Sequence, residues 1–104
     1  MIRYVVGADE FFNIIEKKNR ALCIFGSEKF LQTIEIDYNS VGTYAFDVFL
    51  VVLTEGLAKD LQIVKIPQFK FFERGTEKFS VIGRYRLLPI SRRIDALHAS
   101  TKIR

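Results

Sequence analysis

Cysteine is almost absent from the sequence. Cys23 is the only one in 104 residues, so the chain cannot run an intramolecular dithiol–disulfide cycle. A disulfide framework is excluded as well, and one Cys with one His cannot supply a closed four-ligand zinc site from soft ligands alone. No apolar run approaches the ~20 residues that span a bilayer. The start, Met1-Ile2-Arg3-Tyr4-Val5-Val6, has no apolar stretch leading to a small-residue cleavage site, so the expectation is a cytoplasmic protein without a membrane partner. Repeats, low-complexity tracts and Pro/Gly/Ser linkers are missing too, and residues 1–104 read as one domain. Nothing in this composition calls for a metal or a cofactor.

What is present fits an ordinary α/β globule, with 49% hydrophobic and 27% charged residues. The net charge of +4 is unevenly spread. Residues 1–64 hold six basic and nine acidic side chains, net −3, and residues 65–104 hold ten basic and three acidic, net +7. A basic half can mark an acidic or nucleic-acid partner, or simply a solvated face.

Hydrophobic patterning sets the elements. Residues 2–6 form a β-branched and aromatic strand stopped by Gly7. A helix capped by Asp9 follows, with Phe11, Phe12, Ile14 and Ile15 on its apolar face. Residues 21–25 are an apolar run between Arg20 and Gly26, the pattern of a central strand buried on both faces. Ser27 stands at the N-cap of a second helix, which carries Phe30, Ile34, Tyr38 and Val41 at helical spacing up to Gly42. Ile36 and Tyr38 also alternate with Glu35 and Asp37 as a strand would.

Residues 44–53 give the strongest strand signal, ended by Thr54, Glu55 and Gly56 before a short helix over 57–62. Residues 69–72 and 79–82 form an antiparallel pair around Gly75. Pro89 opens a last helix over about residues 91–101, with Ile90, Ile94, Ala96 and Leu97 as its apolar face. The order is βαβαβαββα. Alternation in the first part implies parallel strands joined by right-handed crossovers.

That order, with Ile66-Pro67 ahead of the aromatic run Phe69-Lys70-Phe71-Phe72 and a glycine turn at Gly75, resembles the thioredoxin family. In that family a cis Ile-Pro bond opens the fourth strand, a glycine turns the hairpin and another ends the fifth strand. Pro67, Gly75 and Gly83 stand in those roles at eight-residue intervals. The resemblance implies a thioredoxin-like α/β fold, with a central mixed sheet flanked by helices and a cis bond at Ile66-Pro67.

It fails where the family's chemistry should be. The family runs from a strand Phe into a short loop and a Cys-x-x-Cys at the second helix. Here Phe25 is followed by Gly26-Ser27-Glu28-Lys29-Phe30. Between Phe25 and Gly42 the stretch is short by about two helical turns, as though the thiol-bearing loop were deleted. The family's buried acid, one residue before that Phe, is matched by Ile24. Cys23 lies inside the second strand, where it reads as a packed core thiol.

The resemblance then implies a redox-inactive domain that binds a protein or extended peptide, with Ser27, Phe30, Ile66 and Pro67 lining the groove. Phe30 can equally be a core contact of the second helix. A different class of function would use the basic residues Lys65, Lys70, Arg74, Lys78, Arg84, Arg86, Arg92 and Arg93 on nucleic-acid phosphates, with Tyr85 stacking on bases. A third would hold glutathione between Ser27 and Ile66. His98, on the last helix, has no acidic or cysteine partner at a useful spacing and names no mechanism.

Overall fold

The computed structural model describes residues 2–39, 46–84 and 87–102. Along them run β1 (Ile2–Val6), α1 (Ala8–Lys17), β2 (Arg20–Gly26), α2 (Glu28–Asn39), β3 (Asp47–Val52), α3 (Glu55–Asp60), β4 (Gln68–Glu73), β5 (Thr76–Ile82) and α4 (Leu87–Lys102). The strands form one sheet in the order β1-β3-β2-β4-β5. β1, β3 and β2 are parallel, while β4 runs antiparallel to β2 and β5 antiparallel to β4. β2 is therefore central.

Side-chain alternation along the strands builds two cores, one on each face of the sheet. In β2, Leu22 and Ile24 point to one side, where they meet Leu31 and Ile34 of α2, Ile90 and Ile94 of α4, and Phe69, Phe71 and Phe79. Ala21, Cys23 and Phe25 point to the other, against Phe11, Ile14 and Ile15 of α1 and Leu57 of α3. Phe11 anchors this second core, edge-to-face with Phe25 at 5.4 Å and with Phe72 at 5.7 Å between ring centroids.

Several boundaries differ from the pattern in the sequence, each for a local reason. The N-cap of α1 is Gly7, at φ +98°, and not Asp9, which sits within the first turn. Only glycine takes that backbone angle without cost. Phe12 is exposed on α1, and the apolar face narrows to Phe11, Ile14 and Ile15. In α2 the fully buried residue is Leu31 rather than Phe30. The helix keeps helical backbone through Asn39, so the strand-like alternation around Ile36 does not prevail. The Tyr38 side chain, and Val41, Gly42 and Tyr44, lie outside the described residues.

Thr54 caps α3, its Oγ1 accepting from the Leu57 N–H at 3.2 Å, so the helix starts two residues early. The β4–β5 turn is only Arg74-Gly75, at φ +52° and +81°. Positive φ at both central residues is the geometry of the tight hairpin whose twist matches its strands. α4 begins at Leu87, so Pro89 stands in its first turn as a proline should, and its buried face is Ile90 and Ile94, with Ala96 and Leu97 exposed. Among the described residues no helix is long and apolar enough to cross a membrane.

Candidate functional site

Two loops meet at the end of the sheet where the parallel strands finish. On one side β2 ends at Gly26, whose carbonyl accepts from the Leu53 N–H at 3.2 Å. A single residue, Ser27, separates that strand from α2. Ser27 Oγ accepts from the Phe30 N–H at 3.3 Å and caps the helix. Phe30 folds back over Gly26, where a Cβ would stand 3.0 Å from Phe30 Cδ2. A glycine lets the ring approach this closely.

On the other side the Ile66–Pro67 bond is cis, and the Pro67 carbonyl accepts from the Gly83 N–H at 2.9 Å, joining the start of β4 to the end of β5. Gly83, at φ +126°, turns the chain so that the next residue, Arg84, lies above Phe30 with its Cζ 5.2 Å from the ring centroid. Gly26, Ser27, Phe30, Ile66, Pro67 and Arg84 thus line one cleft of about 140 Å³.

The structure gathers all four residues that the sequence points to, Ser27, Phe30, Ile66 and Pro67, at this cleft. Phe30 serves as both wall and core contact, since it also packs partly buried against the Leu22 and Leu31 core. Gly26 and Arg84 are the two lining residues that sequence reasoning misses. Gly26 precedes the capping serine and Arg84 follows Gly83, so a signal is present, but by charge alone Arg84 groups with distant cations. Of the exposed large apolar side chains, Ile66, at 48%, lines the cleft, while Val64 and Ile82 are not part of its lining, and Ile82, next to the core-packed Val81, points to the sheet face opposite Phe30.

Cys23 stands apart from this cleft. Its side chain has no exposed surface and belongs to the core beneath α1 and α3. It pairs in register with Lys70, three residues along β4 from Pro67, or about 10 Å at strand rise. Burial pushes the thiol well above its ordinary range, because a thiolate would have no water to solvate it. Ile24, in the place of the family's acid, is fully buried on the opposite face.

The basic residues do not form one stripe. Lys70 must be removed from any phosphate-binding set, being only 5% exposed and donating from Nζ to Glu77 Oε1 at 2.8 Å. Arg93 lies 4.4 Å over the Phe79 ring. Arg74 is in the hairpin turn, and Arg84 and Lys65 are at the opposite end of the sheet, about 20 Å away along β5. Lys78 and Arg92 are exposed, while Tyr85, Arg86 and the His98 side chain lie outside the described residues. A wider hollow of about 660 Å³ opens at the hairpin end beside Lys17, Lys18, Arg20 and Arg74. Its cations are partly neutralised by Lys18–Asp47 and Arg20–Glu73 ion pairs at 3.6 and 3.5 Å. No three metal-ligating side chains come together among the described residues.

No protein-family model matches the sequence, and no curated protein matches it. Solved structures do match the fold. A point mutant of thioredoxin from Halobacterium salinarum superposes with a TM-score of 0.74 at 16% identity, over 91% of this chain and 88% of that one. Oxidised thioredoxin from Plasmodium falciparum gives 0.72 at 19% identity, over 90% and 98%. A Malassezia sympodialis thioredoxin gives 0.63 at 16%, over 95% and 91%. Identity this low carries the fold across and nothing further.

Proposed function

We propose that this thioredoxin-fold chain is a redox-inactive binding module that holds an extended segment of a partner protein in the cleft between Ser27 and Ile66. The observation that carries the reading is a concave site walled by the partly buried Phe30 ring and by Ile66, an apolar side chain 48% exposed beside the cis-proline. Apolar surface gathered beside a groove is what a binding face presents. No backbone hydrogen bond engages Ile66 among the described residues, so its N–H and C=O are open to strand-like pairing with a bound chain.

Dithiol chemistry has no support at this cleft. The one thiol is buried in the other core, and Ser27, at the start of α2, uses its oxygen as a cap. The volume also weighs against glutathione as the occupant. Pockets that enclose small ligands run to roughly 300–1,000 Å³, and a cleft of about 140 Å³ suits one side chain of a chain that continues past it. No specific observation favours nucleic acid once Lys70 is removed and the remaining cations are spread over both ends of the sheet.

Panning a random-peptide display library on the intact chain tests the reading, followed by amide chemical-shift mapping with the enriched peptides. Enriched sequences should shift Ser27, Phe30, Ile66 and Gly83, and Ile66→Asp should weaken them about tenfold or more by placing a charge in the apolar contact. Absence of binding at millimolar peptide, or shifts confined to the hairpin end, would overturn it.

A further inference from the structure

Arg84 is the one charged residue lining the cleft among the described residues. Four basic side chains of the domain are matched by carboxylates, Arg3 with Glu10, Lys18 with Asp47, Arg20 with Glu73 and Lys70 with Glu77. Exposed cations such as Lys65 and Lys78 share with Arg84 the lack of an ion pair among the described residues but do not line the cleft. Arg84 forms no ion pair among the described residues, and it is held instead over Phe30, with Cζ 5.2 Å from the ring centroid. A guanidinium engaged through an aromatic face keeps its in-plane N–H donors for another partner, and contact with the ring limits the side-chain freedom it would lose on binding.

From this we infer that the cleft selects an acidic segment: an extended peptide whose Asp or Glu carboxylate lies against Arg84 while a neighbouring apolar residue covers Ile66. The inference rests on the peptide-binding reading of the same cleft. Charge complementarity sets the occupant, because Arg84 has five N–H donors, the cleft lining offers no carboxylate among the described residues, and a Lys or Arg of the peptide would be repelled. The Phe30 ring, Ile66 and Pro67 strengthen the pairing by excluding part of the water that would screen it. The helix N-terminus is not needed for this, since Ser27 already caps it.

The test uses short capped peptides of alternating valine and serine, identical except for a central Glu, Gln, Lys or phosphoserine. They are titrated into the full chain by fluorescence polarisation, with amide shifts at Ile66 and Gly83 confirming the site. The Glu peptide should bind about three- to tenfold tighter than the Gln peptide, a range set by one partly exposed charge pair, with the Lys peptide weakest. Arg84→Gln should abolish the Glu-over-Gln ratio and Arg84→Lys should restore part of it. High salt should shrink the ratio in the parent chain. Equal affinity for Glu and Gln peptides, with Ile66 still shifting, would overturn acid selection and leave the groove standing. If no peptide shifts Ile66, the groove itself fails. Phosphoserine binding more than about a hundredfold tighter than Glu would replace the carboxylate with a phosphate and overturn the inference.

Discussion

Cys23 shows how one residue's surroundings decide its chemistry. The thiol is flanked in register by Phe49 on β3 and Lys70 on β4 and covered by the α1 and α3 side chains, so it stays protonated at any ordinary pH. Unfolding returns it to water, where thiols titrate near ~8.5. Above that pH the unfolded chain sheds a proton that the folded chain keeps. The unfolding free energy then falls by up to about 1.4 kcal/mol per pH unit, while below it this contribution is constant. Urea midpoints between neutral and alkaline pH should therefore decline more steeply for the parent chain than for Cys23→Ala. Equal slopes would contradict a buried neutral thiol. In the native state Cys23 should also react with a thiol reagent only as fast as the domain opens.

Among the elements, the β4–β5 hairpin holds the least expected arrangement. The register slips between Phe71 and Phe72, so that Phe79 pairs with Phe71 but Glu77 pairs with Phe72, leaving Lys78 as an extra residue. Without that bulge Glu77 and Phe79 would share a face, because side chains alternate with a period of two. With it, Phe79 stacks on Phe71 at 5.6 Å in one core while Glu77 reaches Lys70 on the other side of the sheet. The Lys70 side chain is 7% exposed and that of Glu77 41%, so the two partners are not equivalent. Glu77→Gln leaves a buried ammonium without its counter-charge and should cost about 1–2 kcal/mol, discounted from a fully buried pair. Lys70→Met removes the charge with its desolvation cost and should change stability by less than about 1 kcal/mol. Denaturant melts of the two variants check the asymmetry, and a larger loss for Lys70→Met would refute it.

At the scale of the whole molecule, the sheet order makes β2 the last strand to lose its partners. It is hydrogen-bonded on both edges, to β3 and β4, and covered on both faces by core. Among the described strands, β1 and β5 each have one neighbour in the sheet. Native-state amide exchange should therefore be slowest at residues 22–25 and 48–51, with opening energies close to global unfolding, and faster along β5. Exchange at β5 as slow as at residue 24 would count against this ranking. The cleft lies where this stable centre meets the more loosely held end, between the last residue of β2 and the turn that enters β4.

The order of strands and helices was legible in the sequence because it depends on local periodicity. Residues 21–25 had the pattern of a doubly buried strand, and Gly75 could supply the positive φ of a hairpin turn. The absence of a second thiol was equally plain. Ser27, Phe30, Ile66 and Pro67 were found through the family pattern they sit in. Tertiary structure decided what depends on neighbours distant in the chain. Lys70 grouped with the candidate phosphate-binding cations until the bulge brought Glu77 to it. Arg84 looked like one more basic residue until the turn at Gly83 set it over Phe30. A side chain's face and partner are fixed by register and packing between segments, which no period within a single segment encodes. For Cys23 the sequence determined that the thiol is alone, and the fold determined that it is buried.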